Sequence, residues 1–178
     1  MALLAEEIVE EWLNRQGYFT IRGIKLGVHE IDLLAVKWLK NGKAECRHIE
    51  VQASMRPVSF ISRVPKKDQR SGRRPNSAKR SNEDLIQGVA EWVETKFRRT
   101  DKKALMASLW NGDWSSELVV NVVKSEDEVK LIADHGIKIL RLSEIVASLA
   151  RDRFIIGSAS GADVVDLIHM SSGGQRTS

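Results

Sequence analysis

Two stretches decide how this chain is read: Glu30-Ile31-Asp32-Leu33-Leu34-Ala35-Val36 and His48-Ile49-Glu50-Val51-Gln52-Ala53-Ser54. Each alternates or runs apolar over strand length. The Asn41-Gly42 step in the short link between them is a strong hairpin signal. On strand periodicity, Ile31, Leu33 and Ala35 share one face, while Glu30, Asp32, Leu34 and Val36 share the other. In the next strand Ile49 and Val51 point one way, and His48, Glu50 and Gln52 the other. If the strands are neighbours, Asp32 and Glu50 converge. Two carboxylates meeting beside a backbone carbonyl form a hard-oxygen site suited to Mg²⁺ or Mn²⁺. A plainer reading stands beside this: Glu50 and Gln52 could be the solvent face of a half-exposed sheet, and Asp32 a structurally paired carboxylate.

Outward from these strands, residues 3–16 have helical spacing. Leu4, Ala5, Ile8, Val9, Trp12 and Leu13 fill one arc, with Glu6 and Glu11 at its edges and Gly17 as the stop. A first strand is expected over Tyr18–Leu26, a second over Glu30–Trp38 and a third over Ala44–Ala53. A helix is expected from about Asn82 to Arg99, and a strand over Glu117–Val123. Ser125 and Glu128 form a capping box opening a helix that Gly136 closes. Ile137–Leu142 is a strand, and Ser143 opens a helix to about Asp152. The chain is therefore α/β, in the order αβββ–basic loop–αβαβα. Residues 1–153 are expected to form one domain holding a basic loop at 55–81. Residues 154–178 are an ambiguous short helix and a flexible tail.

The charge is unevenly placed. The 178 residues carry +4 overall. Yet Arg56, Arg63, Lys66, Lys67, Arg70, Arg73, Arg74, Lys79 and Arg80 stand against only Asp68 and Glu83 between residues 55 and 83, so that segment carries +7 and the remainder −3. All three prolines lie in it as well. Such a loop, directly after the carboxylate strand, is where a nucleic-acid channel needs cations for phosphates. A mobile arm that orders on DNA is expected. No apolar run reaches the ~18 residues of a membrane span. The N-terminus has no basic region ahead of an apolar one, so a signal peptide is not expected and a cytoplasmic location is. The single Cys46 excludes an internal disulfide and a cysteine-clustered zinc site.

Helix with Glu6, then Gly17-Tyr18, then Glu-Ile-Asp-Leu-Leu-Ala from Glu30, then Ile-Glu-Val-Gln-Ala-Ser from Ile49: together these resemble the PD-(D/E)xK nuclease superfamily. The opening half is most similar to archaeal Holliday-junction resolvases and related repair and restriction nucleases. The resemblance covers Leu3 to Ser54 and continues as element order through Ile145. It implies a restriction-endonuclease-like αβββαβ core, with a central mixed sheet flanked by helices. It also implies a Mg²⁺-dependent DNA endonuclease that leaves a 3′-hydroxyl and a 5′-phosphate. Asp32 matches the first metal-binding Asp and Glu50 the acid of the (D/E)xK pair. Val51 would offer its carbonyl, and Glu6 matches the first-helix Glu by position better than Glu11 does. The departure is Gln52, where the family usually has Lys. A Gln can hydrogen-bond a water but cannot serve as a base or supply a cation. Lys25, Lys37 or Arg47 are the candidates to restore the charge.

Other residues draw lesser expectations. His48 shares the Glu50 face; a surface or paired role is expected, with support of the site from behind Glu50 as the alternative. Gln87 and Trp92 read as helix surface and core. Trp12, Trp38, Trp92, Trp110 and Trp114 are core candidates, with Trp110 and Trp114 alternatively exposed and stacking on bases. With no separate target-recognition domain visible, a homodimer or larger complex is the expected working unit. Two other function classes stay open: a nuclease fold that has lost catalysis and binds nucleic acid, and an adaptor whose basic loop meets an acidic partner.

Overall fold

The structure is a computed structural model that describes residues 2–54, 59–151, 154–157 and 161–171. Helix α1 (Ala2–Arg15) is followed by strands β1 (Phe19–Leu26), β2 (His29–Trp38) and β3 (Ala44–Gln52). The expected bounds of these elements hold to within a residue or two. Tyr18 N–H donates to the Leu13 carbonyl and Gly17 N–H to that of Asn14. With Gly17 at φ +87°, this is a Schellman ending, and its left-handed residue is the one a side chain would penalise.

The five strands run in the order β1-β2-β3-β4-β5, with β4 at Trp114–Val120 and β5 at Lys138–Arg141. β1, β2 and β3 form an antiparallel meander, while β4 joins β3, and β5 joins β4, in parallel. The chain is thus α/β with a mixed central sheet between helices, in keeping with the expected restriction-endonuclease-like arrangement. On one face, α1 and α6 (Leu142–Arg151) cover Leu33, Ala35, Ile49, Val51 and Val119. Helix α7 (Ala162–Ser171) adds Val165 to the same core. On the other face, α3 (Asn82–Val93) and α5 (Glu126–Asp134) enclose Leu118 and Val120. There α4 (Thr100–Leu109) sets Met106 against Ile31 and Leu34. Burying these side chains is worth about 1.5–3 kcal/mol apiece. Among the described residues no helix is long and apolar enough to cross a membrane.

Several expectations are corrected. Strand β4 starts at Trp114 and stops at Val120, where its partner β3 ends at Gln52. Helix α4 was not foreseen: its buried residues are Lys102 and Met106, so a lysine stands where periodicity looks for an apolar side chain. The Ser125 capping box is only half formed. The Ser125 side chain accepts the Glu128 N–H, but the Glu128 carboxylate turns instead to Ile61 and Ser62. The reciprocal box lies at Ser81 and Asp84, opening α3. Trp38 is half exposed rather than core, with Phe19 and Trp110 edge-on to it. Trp114, by contrast, is partly buried and packs against the cluster of Ile31, Leu34 and Met106, as its reading as a core residue expects.

The basic segment is folded where it is described, not an arm awaiting a partner. Its nine-cation set includes Arg56, which lies outside the described residues. Val64 is buried and its N–H donates to the Pro75 carbonyl, closing a compact loop around the short helix α2 (Lys66–Arg70). The Glu128 carboxylate accepts Ile61 N–H at 2.7 Å, Ser62 N–H at 2.8 Å and the Ser62 hydroxyl. Arg73 pairs with Asp84, and Arg80 donates to Ser62 and stacks on Phe60. Gly88 of α3 allows the closest approach: a Cβ there would lie 2.5 Å from the Arg63 carbonyl oxygen.

Candidate active site

The site begins where two strands part. The β2–β3 ladder runs from Trp38↔Ala44 to Leu33↔Ile49 and goes no further. On its other side, β1 pairs Arg22 with Leu33 and Ile24 with Ile31, skipping Gly23 opposite Asp32. Alternation slips here too. Ile31 packs with Leu34 and Met106, not with Leu33 and Ala35 as strand periodicity predicts. The Asp32 carboxylate fills the gap: its Oδ2 accepts the Val51 N–H at 2.7 Å. That contact ties Asp32 to the residue after Glu50. Asp32 is 8% exposed and Glu50 fully buried, so the half-exposed-sheet reading fails for Glu50.

A buried carboxylate needs compensation, and Glu50 has three donors. Lys102 Nζ lies 2.7 Å from Oε1, His48 Nε2 lies 3.1 Å from the same oxygen, and Lys96 Nζ lies 2.6 Å from Oε2. His48 is buried against Phe97, and its Nδ1 has no partner. Burial lowers its pKa, so the neutral ring donates Nε2–H to Glu50. Burial alone would raise Glu50, but His48, Lys96 and Lys102 outweigh it and hold the carboxyl near 2. Asp32 goes the other way: burial first, then the Glu50 charge, raise it to about 6. Glu6 is raised by partial burial and then by Glu30, with Glu50 also contributing, so it faces the same acidic field. Glu11 does not. It is sealed by Arg15 at 2.7 Å and by the Gly161 N–H at 2.9 Å.

The two lysines were not among the expected site residues. Lys25 is spent on Glu30, Lys37 stands over the Tyr18 ring, and Arg47 is buried against Glu117 between Trp12 and Tyr18. None of the three pairs with Glu50. The cations come instead from the far end of α3. There the chain widens into a π-helical turn, Glu94–Arg98, and breaks at Arg99 before α4. A π-turn carries an extra residue and frees backbone carbonyls. The Lys96 carbonyl accepts the Lys102 ammonium at 2.8 Å, so one lysine positions the other. In the sequence Lys96 reads as an ordinary last-turn lysine. The signal available for Lys102 was its placement four residues before Met106, on one helix face.

A cleft of about 690 Å³ opens beside the two lysines; neither Asp32 nor Glu50 lines it. Gln52, Lys96 and Lys102 line it with Arg63, Lys66 and Arg99, the last paired with Asp101 at 2.7 Å. Arg63, Lys66, Lys67, Arg70, Arg74 and Lys79 are exposed, and no ion pair among the described residues engages them. Arg73 and Arg80 serve the loop itself. Gln87 donates to Glu91, and Trp92 lies between the second core cluster and the cleft.

No protein-family model and no curated protein matches the chain. Among solved structures it is similar to a crystal structure of a protein of unknown function, AF1548, at 15% identity and a TM-score of 0.43, over 97% of this chain and 67% of that one. It is similar also to the MspJI restriction endonuclease in complex with a 27-mer oligonucleotide, at 15% identity and a TM-score of 0.38. That match covers 97% of this chain and 31% of the endonuclease, so the chain spans under a third of that protein's length.

Proposed function

We propose that the chain is a DNA endonuclease dependent on Mg²⁺, or Mn²⁺ in its place. One observation carries the reading: Asp32 is anchored on the Val51 N–H next to Glu50, Glu50 holds two ammoniums, and these lysines line a cleft together with Arg63 and Lys66, which no ion pair among the described residues engages. Their fit to a dication rests on donor chemistry. Asp32, Glu50 and the Val51 carbonyl are hard oxygen donors, and Glu6 would contribute through a water. Two acids in mutual repulsion, one raised to about 6, are relieved by a cation. Among the described residues no group of three or more His, Cys, Asp or Glu is gathered tightly enough to hold a metal alone. Glu50 Oε2 must therefore be released by Lys96, whose side chain is 25% exposed, while Lys102 at 1% stays in place. A bound dication would polarise the phosphate and lower the pKa of a water.

The chain's own residues do the rest. Lys96, displaced from Glu50, has an ammonium free to meet charge growing on the phosphate, which restores the cation that Gln52 lacks. Gln52 hydrogen-bonds the attacking water and orients it. Arg63, Lys66 and their exposed neighbours hold the backbone without reading sequence. The products are a 3′-hydroxyl and a 5′-phosphate, as the resemblance implies. The test is cleavage of plasmid and branched DNA with Mg²⁺ or Mn²⁺, with Asp32→Ala and Glu50→Ala as controls. Equal cleavage by all three proteins removes the site.

A second reading, a nuclease fold that binds nucleic acid without cutting it, is favoured by the double neutralisation of Glu50. It expects salt-sensitive DNA binding, no cleavage on any substrate and no heat on Mn²⁺ titration.

A further inference from the structure

At the rim of the same cleft stands a residue with no part in folding. β1 and β2 reverse through Gly27-Val28, between the last pair Leu26↔His29. Gly27 at φ +62° permits the two-residue turn. Val28 at its apex is 96% exposed, the highest value for a large apolar residue among those described. A β-branched residue gains nothing from packing there, and turn tips favour polar residues. One step back, Lys25 and Glu30 pair across the hairpin at 2.7 Å. Val28 and His29 line the cleft together with Gln52, Lys96 and the cations Arg63, Lys66 and Arg99. An exposed apolar tip therefore borders the same space as Arg63 and Lys66, which no ion pair among the described residues engages.

We infer that Val28 is a wedge, carried on the β1–β2 tip, that enters the base stack of DNA seated in the cleft and unstacks the step it meets. Apolar side chains inserted between base pairs act this way in kinked complexes. The unstacking cost is smallest where pairing is already broken, so the favoured substrate is duplex carrying a mismatch. This rests on the reading of the chain as DNA-acting and deepens it by naming the substrate class.

The test uses the full chain in EDTA, where nothing is cut. Duplexes carry 2-aminopurine at successive internal positions, in continuous and mismatched versions. Binding is followed by anisotropy and unstacking by fluorescence. The wild type is expected to raise the fluorescence of the continuous duplex and to prefer the mismatched one. Val28→Ser should lose the rise, and its preference should fall about tenfold, or about 1.4 kcal/mol. Val28→Leu should keep both. Identical fluorescence and preference in wild type and Val28→Ser overturn the wedge and leave the nuclease reading standing. Failure of the wild type to bind either duplex overturns both.

Discussion

Replacing Glu128 by Ala should unfasten the basic loop from a body that otherwise remains folded. The Glu128 carboxylate is 1% exposed and accepts three donors from the loop: Ile61 N–H, Ser62 N–H and the Ser62 hydroxyl. Hydrogen bonds to a charged group contribute about 1.5–3 kcal/mol each, and a buried donor left unpaired costs about 1–3 kcal/mol. Three such bonds exceed 4 kcal/mol at the low end of that range. The loop can undock and let water satisfy the donors, so the penalty appears mainly as local opening rather than global unfolding. An opening equilibrium eased by about 3 kcal/mol speeds proteolysis of the opened segment more than 100-fold when reclosing outpaces cleavage. Limited trypsinolysis reads this directly, because Arg63, Lys66, Lys67, Arg70 and Arg74 are all exposed cleavage points. Fragments ending at these positions should appear more than 100-fold faster in Glu128→Ala, with the urea midpoint only modestly lowered. DNA affinity should fall as well, since the loop's cations no longer flank the cleft. Equal digestion of wild type and variant would refute the reasoning and return the segment to the mobile arm its composition predicts.

The other predictions concern the site and its supports. Lys102→Met removes a buried partner of Glu50 and should cost about 3 kcal/mol in urea unfolding, whereas Lys96→Met, at a side chain 25% exposed, should cost under 1 kcal/mol yet abolish cleavage. If the two variants lose stability equally, their roles are not divided in this way. Asp32 is raised to about 6, above its unfolded value near 3.9, so the folded chain holds this proton more tightly. The resulting stabilisation is full below about pH 4 and is lost as pH rises through 6, an effect of about 2–3 kcal/mol. Asp32→Asn, which keeps an acceptor for Val51 N–H, should therefore be more stable than wild type at pH 8 and not at pH 4; thermal melts at the two pH values check the sign. Gly88→Ala gains about 1 kcal/mol of helix propensity, but its Cβ meets the Arg63 carbonyl at 2.5 Å. The net result should be a lower melting temperature and faster tryptic cutting at Arg63.

The elements that could be read were those whose side chains obey one period and one neighbourhood. The meander, the Schellman glycine and α3 with its Ser81 cap followed from local patterning, because local hydrogen bonds and a single buried face determine them. Strand adjacency foretold that Asp32 lies against β3, but not that the ladder stops at Leu33↔Ile49 and that Asp32 accepts the Val51 N–H. Helix α4 escaped because its buried face is half lysine, and periodicity cannot distinguish a lysine facing a carboxylate from one facing water. Glu128 escaped for the same reason: a carboxylate three residues after a serine satisfies a capping rule, and only a loop 66 residues away in sequence diverts it.

The sequence by itself determined the α/β order, the carboxylate pair and the concentration of cations between residues 55 and 83. Each is a property of residues near one another along the chain. Tertiary structure alone decided the charge on the site. Arg47, the cation nearest to Glu50 in sequence, pairs with Glu117 instead. Lys96 and Lys102, 46 and 52 residues beyond Glu50, supply two. They reach it because a π-turn and a helix break set both ammoniums over one buried oxygen pair. Burial makes that arrangement necessary, since Glu50 enclosed without donors would cost more than the fold can carry.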